Sequence, residues 1–452
     1  MQSVRIGAAQ AFYGDKLKPA MELAERGNVK YLCFDCLAEL TLAILQKDRQ
    51  RDPNLGYTRD VVPVMKALLP ICVAKGIKLI TNAGGINPRA AAAAVAKVAR
   101  DLGLKVRIAT VVGDDLLGRV AELRAQGSIS SMSGSAESGE ELSKLTFANA
   151  YLGAAPIYEA LQQGADVVIT GRTTDTAQYH AAAAHGLGWK LDDLNRAAQG
   201  VVLGHILECT AQATGGNFSG RWWEVDKLEN IGYPLAEVYA DGSFIVGKPD
   251  GTGGLVSVDT IREQLLYEIH DPKTFISPDV IIDMTTIKLE DAGPNKVRVS
   301  GASGRAAPPT LKVVGGYPNG YAGEGRMVYT WPDALPKARK TEELFRKLVA
   351  IEGIKALEIR AEYFGLNAIH EGNAQPPSGE PAEVVLRLAV RTESERDAAK
   401  IGRILPPLAI GGPPHMTGLS GVSGARQLMG VASFLVKREL VEAGVQVQME
   451  EI

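Results

Sequence analysis

The feature that most constrains this chain is an alternation in its first half between short Val/Ile-rich runs and longer helical segments. Residues 4–9, 31–36, 77–81, 106–112 and 165–170 read as strands. Residues 18–26, 38–46, 61–75 (with a kink at Pro70), 88–102 and 150–163 read as helices. Strands joined through helices lie parallel, because a parallel pair needs a long crossover that an antiparallel hairpin does not. Strands covered on both faces lose the polar alternation of a half-exposed sheet, as these runs do. The first domain, residues 1–284, is therefore predicted to be α/β with a parallel β/α sheet.

The pattern changes in the remainder. Strand-like runs at 297–300, 311–316, 357–364 and 384–390 stand near Gly, Pro and Asn turns, with helical segments at 340–351 and 393–404. This predicts a smaller α+β domain over residues 285–452, with a mixed or antiparallel sheet. Two domains are also what length implies, since 452 residues exceed the ~250–300 at which a single core stops growing.

Charge narrows the function classes. The formal net charge is −3, which gives no broad attraction to nucleic acid or to an anionic membrane. No run approaches the ~20 apolar residues of a membrane span. The opening Met1-Gln-Ser-Val leads straight into a strand without a basic head and apolar stretch, so a cytoplasmic protein is expected. The four cysteines are too few for a disulfide scaffold. Cys33-Phe-Asp-Cys36 lies in an apolar run and reads as buried small hydrophobes rather than a redox or zinc motif.

In an open parallel sheet, ligands bind beyond the carboxyl ends of the strands. Five predicted strands are followed there by polar groups: Gln10, Asp35 with Glu39, Thr81-Asn82-Ala-Gly84-Gly85, Gly113-Asp114-Asp115, and Thr170-Gly171-Arg172-Thr173-Thr174-Asp175. Asn82, Gly84 and Gly85 precede a helix beginning at Pro88, where bare backbone N–H groups and the helix N-terminus favour an anion. Gly171, Arg172, Thr173 and Thr174 offer a second anion loop, in which Arg172 either holds a carboxylate or phosphate or pairs with Asp175 or Asp35. His205, Glu208, Cys209 and Gln212 would share one face of a helix ending at Gly215-Gly216. His205 with Glu208 reads as a base and its orienting acid, as part of a divalent-metal site, or as a polar face on a domain seam. NAD and P-loop nucleotides are disfavoured, since neither GxGxxG nor GxxxxGK[ST] occurs.

Other motifs carry weaker expectations. Residues 127–143, rich in Ser and Gly, read either as an exposed loop or as a lid. Asp259 is expected to cap a helix over 261–270. His415, in Gly411-Gly412-Pro413-Pro414-His415, reads as part of a rigid turn or as a residue reaching the site.

Phe34-Asp35-Cys-Leu-Ala38-Glu39, Thr81-Asn82-Ala-Gly84-Gly85-Ile-Asn87-Pro88, Asn149-Ala150-Tyr151-Leu-Gly153-Ala154, Thr170-Gly171-Arg172-Thr173-Thr174-Asp175 and His205-Ile-Leu-Glu208-Cys209 together resemble the acyclic terpene utilisation A (AtuA) family. The likeness runs over nearly the whole chain. It adds Asn149 to the substrate-binding residues and implies degradation of terpenoids through acyl-CoA intermediates. Some members carry, or are encoded beside, a small domain of about a hundred residues, which implies a separate small subunit here. A homo-oligomer is also expected.

These readings lead to an enzyme acting on a small carboxylate or its CoA thioester, a hydratase or other lyase. Asp35, Asp175, His205 and Glu208 would carry catalysis, and the Arg172 loop, Asn82 and the paired glycines would bind substrate. The alternatives are a non-catalytic acyl-CoA-binding subunit of a larger complex and an oligomeric scaffold.

Overall fold

The computed structural model describes residues 2–132, 139–375 and 377–452. Five short strands form the centre of its largest sheet: β1 (Ser3–Gln10), β2 (Tyr31–Phe34), β3 (Lys78–Thr81), β4 (Arg107–Val112) and β5 (Val167–Thr170). They run parallel in the order β1-β2-β3-β5-β4. Each is buried on both faces, and successive residues serve different cores. Tyr31, Cys33, Ile80 and Val168 face a cluster built with helices Ala177–Leu187 and Leu194–Leu207. Leu32, Phe34, Leu79 and Ile169 face another, built with helices Leu17–Arg26, Val61–Lys75 and Pro88–Asp101. Burying one such aliphatic or aromatic side chain contributes roughly 1.5–3 kcal/mol, so register errors that swap the faces are strongly disfavoured.

The sheet continues past both of its parallel edges. On the β1 side come strands Leu235–Tyr239, Phe244–Gly247, Val297–Ser300 and Lys288–Asp291, all antiparallel. On the β4 side lies the C-terminal strand Gln446–Glu451, also antiparallel. The chain divides into two compact units, Met1–Gly316 with Val431–Ile452, and Tyr317–Gly430. This corrects the expected change at residue 285. The hairpin at 288–300 looks like the start of an antiparallel domain, but it hydrogen-bonds to Phe244–Gly247 and so widens the first sheet.

Within the second unit, residues 321–330 pair antiparallel with Glu383–Thr392, which pairs in turn with Ala356–Phe364. Helices Ala334–Ile351 and Ile401–Gly411 supply Phe345, Val349, Ile404 and Leu405 to its core. His415 is exposed there, with a positive φ of 60°.

Local readings needed three further adjustments. Residues 147–150 are a strand paired with residues 313–316, and the helix expected from Ala150 begins at Ala155. Ser257 rather than Asp259 caps the helix Val258–Leu266, through a reciprocal bond with Thr260. Of the 127–143 segment, Ile129–Ser131 is a strand paired with Phe434–Val436 and Gly139–Ser143 is a short helix, while 133–138 lie outside the described residues. Among the described residues no helix is long and apolar enough to cross a membrane.

Candidate functional site

The polar residues that follow the central strands meet. β2 ends at Phe34, whose backbone N–H and C=O are both held by the side-chain amide of Gln178, at 2.9 Å each. Gln178 is fully buried on the helix Ala177–Leu187 and fixes where the chain leaves the sheet. Asp35 comes next. Its Oδ1 accepts a hydrogen bond of 2.5 Å from Asn82 Nδ2, at the end of β3. Asn82 Oδ1 in turn accepts from the N–H of Cys36 at 2.7 Å. One buried amide thus ties two strand ends together, and among the described residues the second Asp35 carboxyl oxygen takes no hydrogen bond.

β5 leads to Gly171, where a side chain would meet the Asp114 carboxylate at 2.4–2.6 Å. Asp114 follows β4 and needs that space. It accepts from the Arg172 N–H and from Asn149 Nδ2, both at 2.8 Å. Burial raises the Asp114 carboxyl to about 6 despite these bonds. A cleft of about 330 Å³ opens here, lined in part by Asn87, Pro88, Arg89, Gly113, Asp114 and Asp115.

Arg172 is 2 % exposed. Its Nη1 donates to Asp175 Oδ1 at 2.8 Å and to the Leu37 carbonyl at 3.1 Å. The guanidinium lies 4.0 Å from the centre of the Tyr151 ring, and Lys312 Nζ lies 4.5 Å from that same centre. Tyr151 donates to Glu39 Oε1 at 2.6 Å, and Lys312 reaches the same oxygen at 3.0 Å. Burial opposes ionisation of Glu39, but these two donors hold it down at about 2. Burial likewise disfavours the charge on Arg172, yet Asp175, Tyr151 and Asp35 outweigh it and keep the guanidinium more basic than usual.

The acids are the unusual part. Asp35, Asp175 and Glu208 each place a carboxylate oxygen within 4.8 Å of the other two. Asp35 and Glu208 are buried, while Asp175 has a side chain about one third exposed (34%). Burial first, then Asp175, pushes both the Asp35 and Glu208 carboxyls well above the ordinary carboxylate range. His205 Nδ1 faces Glu208 Oε1 at 3.3 Å, and burial lowers the proton affinity of this imidazole. Its Nε2 has no hydrogen-bond partner among the described residues. Among the described residues the site therefore holds three acids, two of them buried, against one buried cation. Such a cluster must either keep protons or take up positive charge.

The structure brings Asp35, Asn82, Asn149, Gly171, Arg172, Asp175, His205 and Glu208 into one connected network. Arg172 makes the pair with Asp175 that was the alternative to holding a ligand anion, and its Nε has no partner among the described residues. Thr173 is fully buried, and its Oγ1 has no partner among the described residues. Thr174 uses its N–H on Leu152. Gly84 and Gly85 have packing reasons to be glycine. A side chain at 84 would meet the Thr170 carbonyl at 2.4 Å, and one at 85, where φ is +56°, would meet Leu45 at 2.3 Å. The Gly85 N–H is already taken by the Asn82 carbonyl.

The expected helix through Gln212 is shorter. It ends at Leu207 with Glu208 as its C-cap, and a 3-10 turn, Thr210–Thr214, runs to a left-handed Gly215. His205 and Glu208 still meet, because the last helical turn places residues three apart together. The sequence reading missed the roles of Asp114, Gln178 and Lys312. It also missed a buried pair, His180 Nδ1 and Asp279 Oδ2, at 3.3 Å. Asp114 did stand in a strand-end motif, whereas Lys312 lay in a run assigned to the other domain and carried no signal.

A family model described as acyclic terpene utilisation family protein AtuA matches residues 4–447. No curated protein and no solved structure matches the chain. The matched span contains the central strands and all the acids and basic residues of this site, and the chain belongs to the AtuA family.

Proposed function

We propose that this chain is an enzyme acting on a small carboxylate or an acyl-CoA thioester, as a hydratase or other lyase. The observation that carries this reading is the convergence of Asp35, Asp175 and Glu208 beside Arg172, where the parallel strands end. Adding water next to a carbonyl needs a base, an acid and a donor for the developing oxyanion. The base takes a proton as the water oxygen bonds to the β-carbon. The double-bond electrons move toward the carbonyl, and the acid returns a proton to the α-carbon. Asp175 reaches solvent and is suited to exchange protons, with a buried acid as its partner. Arg172 Nε, unpartnered among the described residues, suits a substrate carboxylate or an enolate oxygen. His205 Nδ1 stands 3.3 Å from Glu208 Oε1, close enough to take part in moving its proton.

The test is a thermal-shift screen of short carboxylates and unsaturated acyl-CoA thioesters, followed by turnover read from the absorbance of the conjugated thioester. A ligand that binds only the native state raises the melting point. Arg172→Ala should abolish the shift, and Asp175→Asn should keep the shift but reduce turnover at least 100-fold. A shift with no turnover in the native chain would make it a binding subunit. No shift with any member of the screen would remove the reading.

A further inference from the structure

We infer that the strand Ala356–Phe364 is an interface at which a second copy of this chain extends the sheet, antiparallel across a two-fold axis at Ala361. The acid site plays no part in this, so the two readings stand or fall separately.

The strand is an open edge. It pairs antiparallel with Glu383–Thr392, and no strand lies beyond it among the described residues. Alternate backbone N–H and C=O groups of an edge strand point away from its one neighbour and can template another strand. From Glu358 to Glu362 the backbone bonds to no other segment among the described residues. The strand has nine residues, against four and six in the edge strands Lys288–Asp291 and Gln446–Glu451. A longer edge offers an added strand more main-chain hydrogen bonds.

Packing also stops short here. Val390, Leu388 and Leu386 are buried in the core of the second unit. Their cross-strand neighbours Ile359, Ala361 and Tyr363 face the same core but are only partly buried, and no residue of the strand is fully buried. Ile351, Leu357, Phe364 and Ile369, on the strand or close to it in sequence, are exposed, at 76% for Ile351 and 78% for Ile369. An apolar layer that runs out to an uncovered edge marks a surface that another chain covers.

Charge identifies that chain as a second copy. The ladder with Glu383–Thr392 is irregular between Ala356 and Glu358 and regular from Glu358 to Phe364, a run centred on Ala361. With the axis there, Arg360 stands opposite Glu362 of the second copy, and Glu362 opposite its Arg360. On the other face Ile359 stands opposite Tyr363, and Ala361 opposite Ala361. Residues directly opposite in this way are in contact. Moving the axis to Arg360 would set arginine against arginine and Glu358 against Glu362, which is unfavourable. Arg360 and Glu362 already meet within one chain at 2.7 Å, and the Arg360 side chain is still half exposed (49%). Pairing of two copies joins these ion pairs into one cluster. An edge guarded by charge of a single sign repels its own copy, whereas the alternation Glu358, Arg360, Glu362 complements itself.

The experiment is sedimentation velocity of the full chain over a range of concentrations, where a dimer is expected. Arg360→Glu places acid against acid across the axis and should raise the dissociation constant roughly tenfold or more. Lys97→Glu makes the same change of charge at an exposed helix position in the first unit and should leave it unchanged. Circular dichroism and melting curves establish that each variant is folded. Hydrogen exchange of the unaltered chain gives a reading that needs no variant. Amides of 358–364 that point away from Glu383–Thr392 should exchange slowly in the dimer, although the chain itself offers them no partner. A monomer at every concentration, a dimer as tight in folded Arg360→Glu as in the native chain, or fast exchange at all of those amides in the dimer overturns the interface.

Discussion

The acid cluster in the first compact unit and the charge ladder on the second unit's sheet solve the same electrostatic problem in opposite ways. On the second sheet Arg387 binds Glu324 and Glu362, and Arg360 binds Glu362 and Glu371. These groups are only partly buried and cations meet every acid. Burial opposes ionisation of Glu362, but bonds from Arg387 and Arg360 hold it below its ordinary value. In the cluster, three acids share one arginine, and Asp35 and Glu208 are driven the other way. Matched charges at intermediate burial act as struts. Unmatched charges in a dry site destabilise a fold, so their presence points to a ligand, a proton or a reaction that uses them.

The contrast can be broken most directly at the arginines. Arg172→Met removes the buried cation beside the acids, together with its bonds to Asp175 and Leu37 and its stack on Tyr151. Loss of one partner from a buried pair costs about 3–5 kcal/mol. Arg387→Met should cost only about 1 kcal/mol, as expected for a partly exposed network. Urea denaturation measures both. Equal losses would mean that the two regions do not differ.

The next effect is in pH. The folded-state pKa of Asp114, about 6, lies above that of the unfolded chain. Below pH ~4 both states hold the proton and the native state keeps its full stability. Between about pH 4 and 6 the unfolded chain releases it first, and stability falls by about 2–3 kcal/mol before levelling off. Glu362 has the opposite slope: its contribution is present above its unfolded value and disappears as pH falls through its lower folded value. Asp114→Asn, with its amide oxygen in the place of Oδ2 to keep the bonds from Asn149 and the Arg172 N–H, should flatten the first slope. Midpoints of urea unfolding at pH 4, 5, 6 and 7 give the comparison, and identical profiles for variant and native chain would contradict it.

The smallest effect concerns sign. In chelator at pH 7.5, Asp35→Asn keeps an oxygen for the Asn82 bond and removes one excess charge. It should leave stability unchanged or raise it by about 1 kcal/mol. Glu362→Gln removes a matched charge and should lower stability by less than about 1 kcal/mol. A loss at Asp35 as large as that at Glu362 would show that the cluster is not strained by its charge.

Much of this was legible along the chain. β2, β3, β4 and β5 lay within a few residues of their expected positions, because uninterrupted Val/Ile runs between helices admit few other arrangements. Asp35, Asn82, Arg172 and Asp175 were identified by position alone, as residues following strands. The C-terminal strand Gln446–Glu451, the Gln178 clamp on Phe34 and the Lys312–Glu39–Tyr151 group were not legible. Each joins residues more than a hundred positions apart, and no local pattern encodes such a partner.

Local chemistry alone therefore determined the strand–helix alternation, the two-sided burial and the rim at which polar groups would collect. Those follow from periodicity and hydrophobic content over a few turns of chain. Only the tertiary structure decided that Glu208, on a different helix end, completes a trio with Asp35 and Asp175, that Arg172 is the buried cation beside them, and where the first unit ends. Distances of a few ångströms in a dry interior set those outcomes, since electrostatic energy there depends on which charges meet and not on their order along the chain.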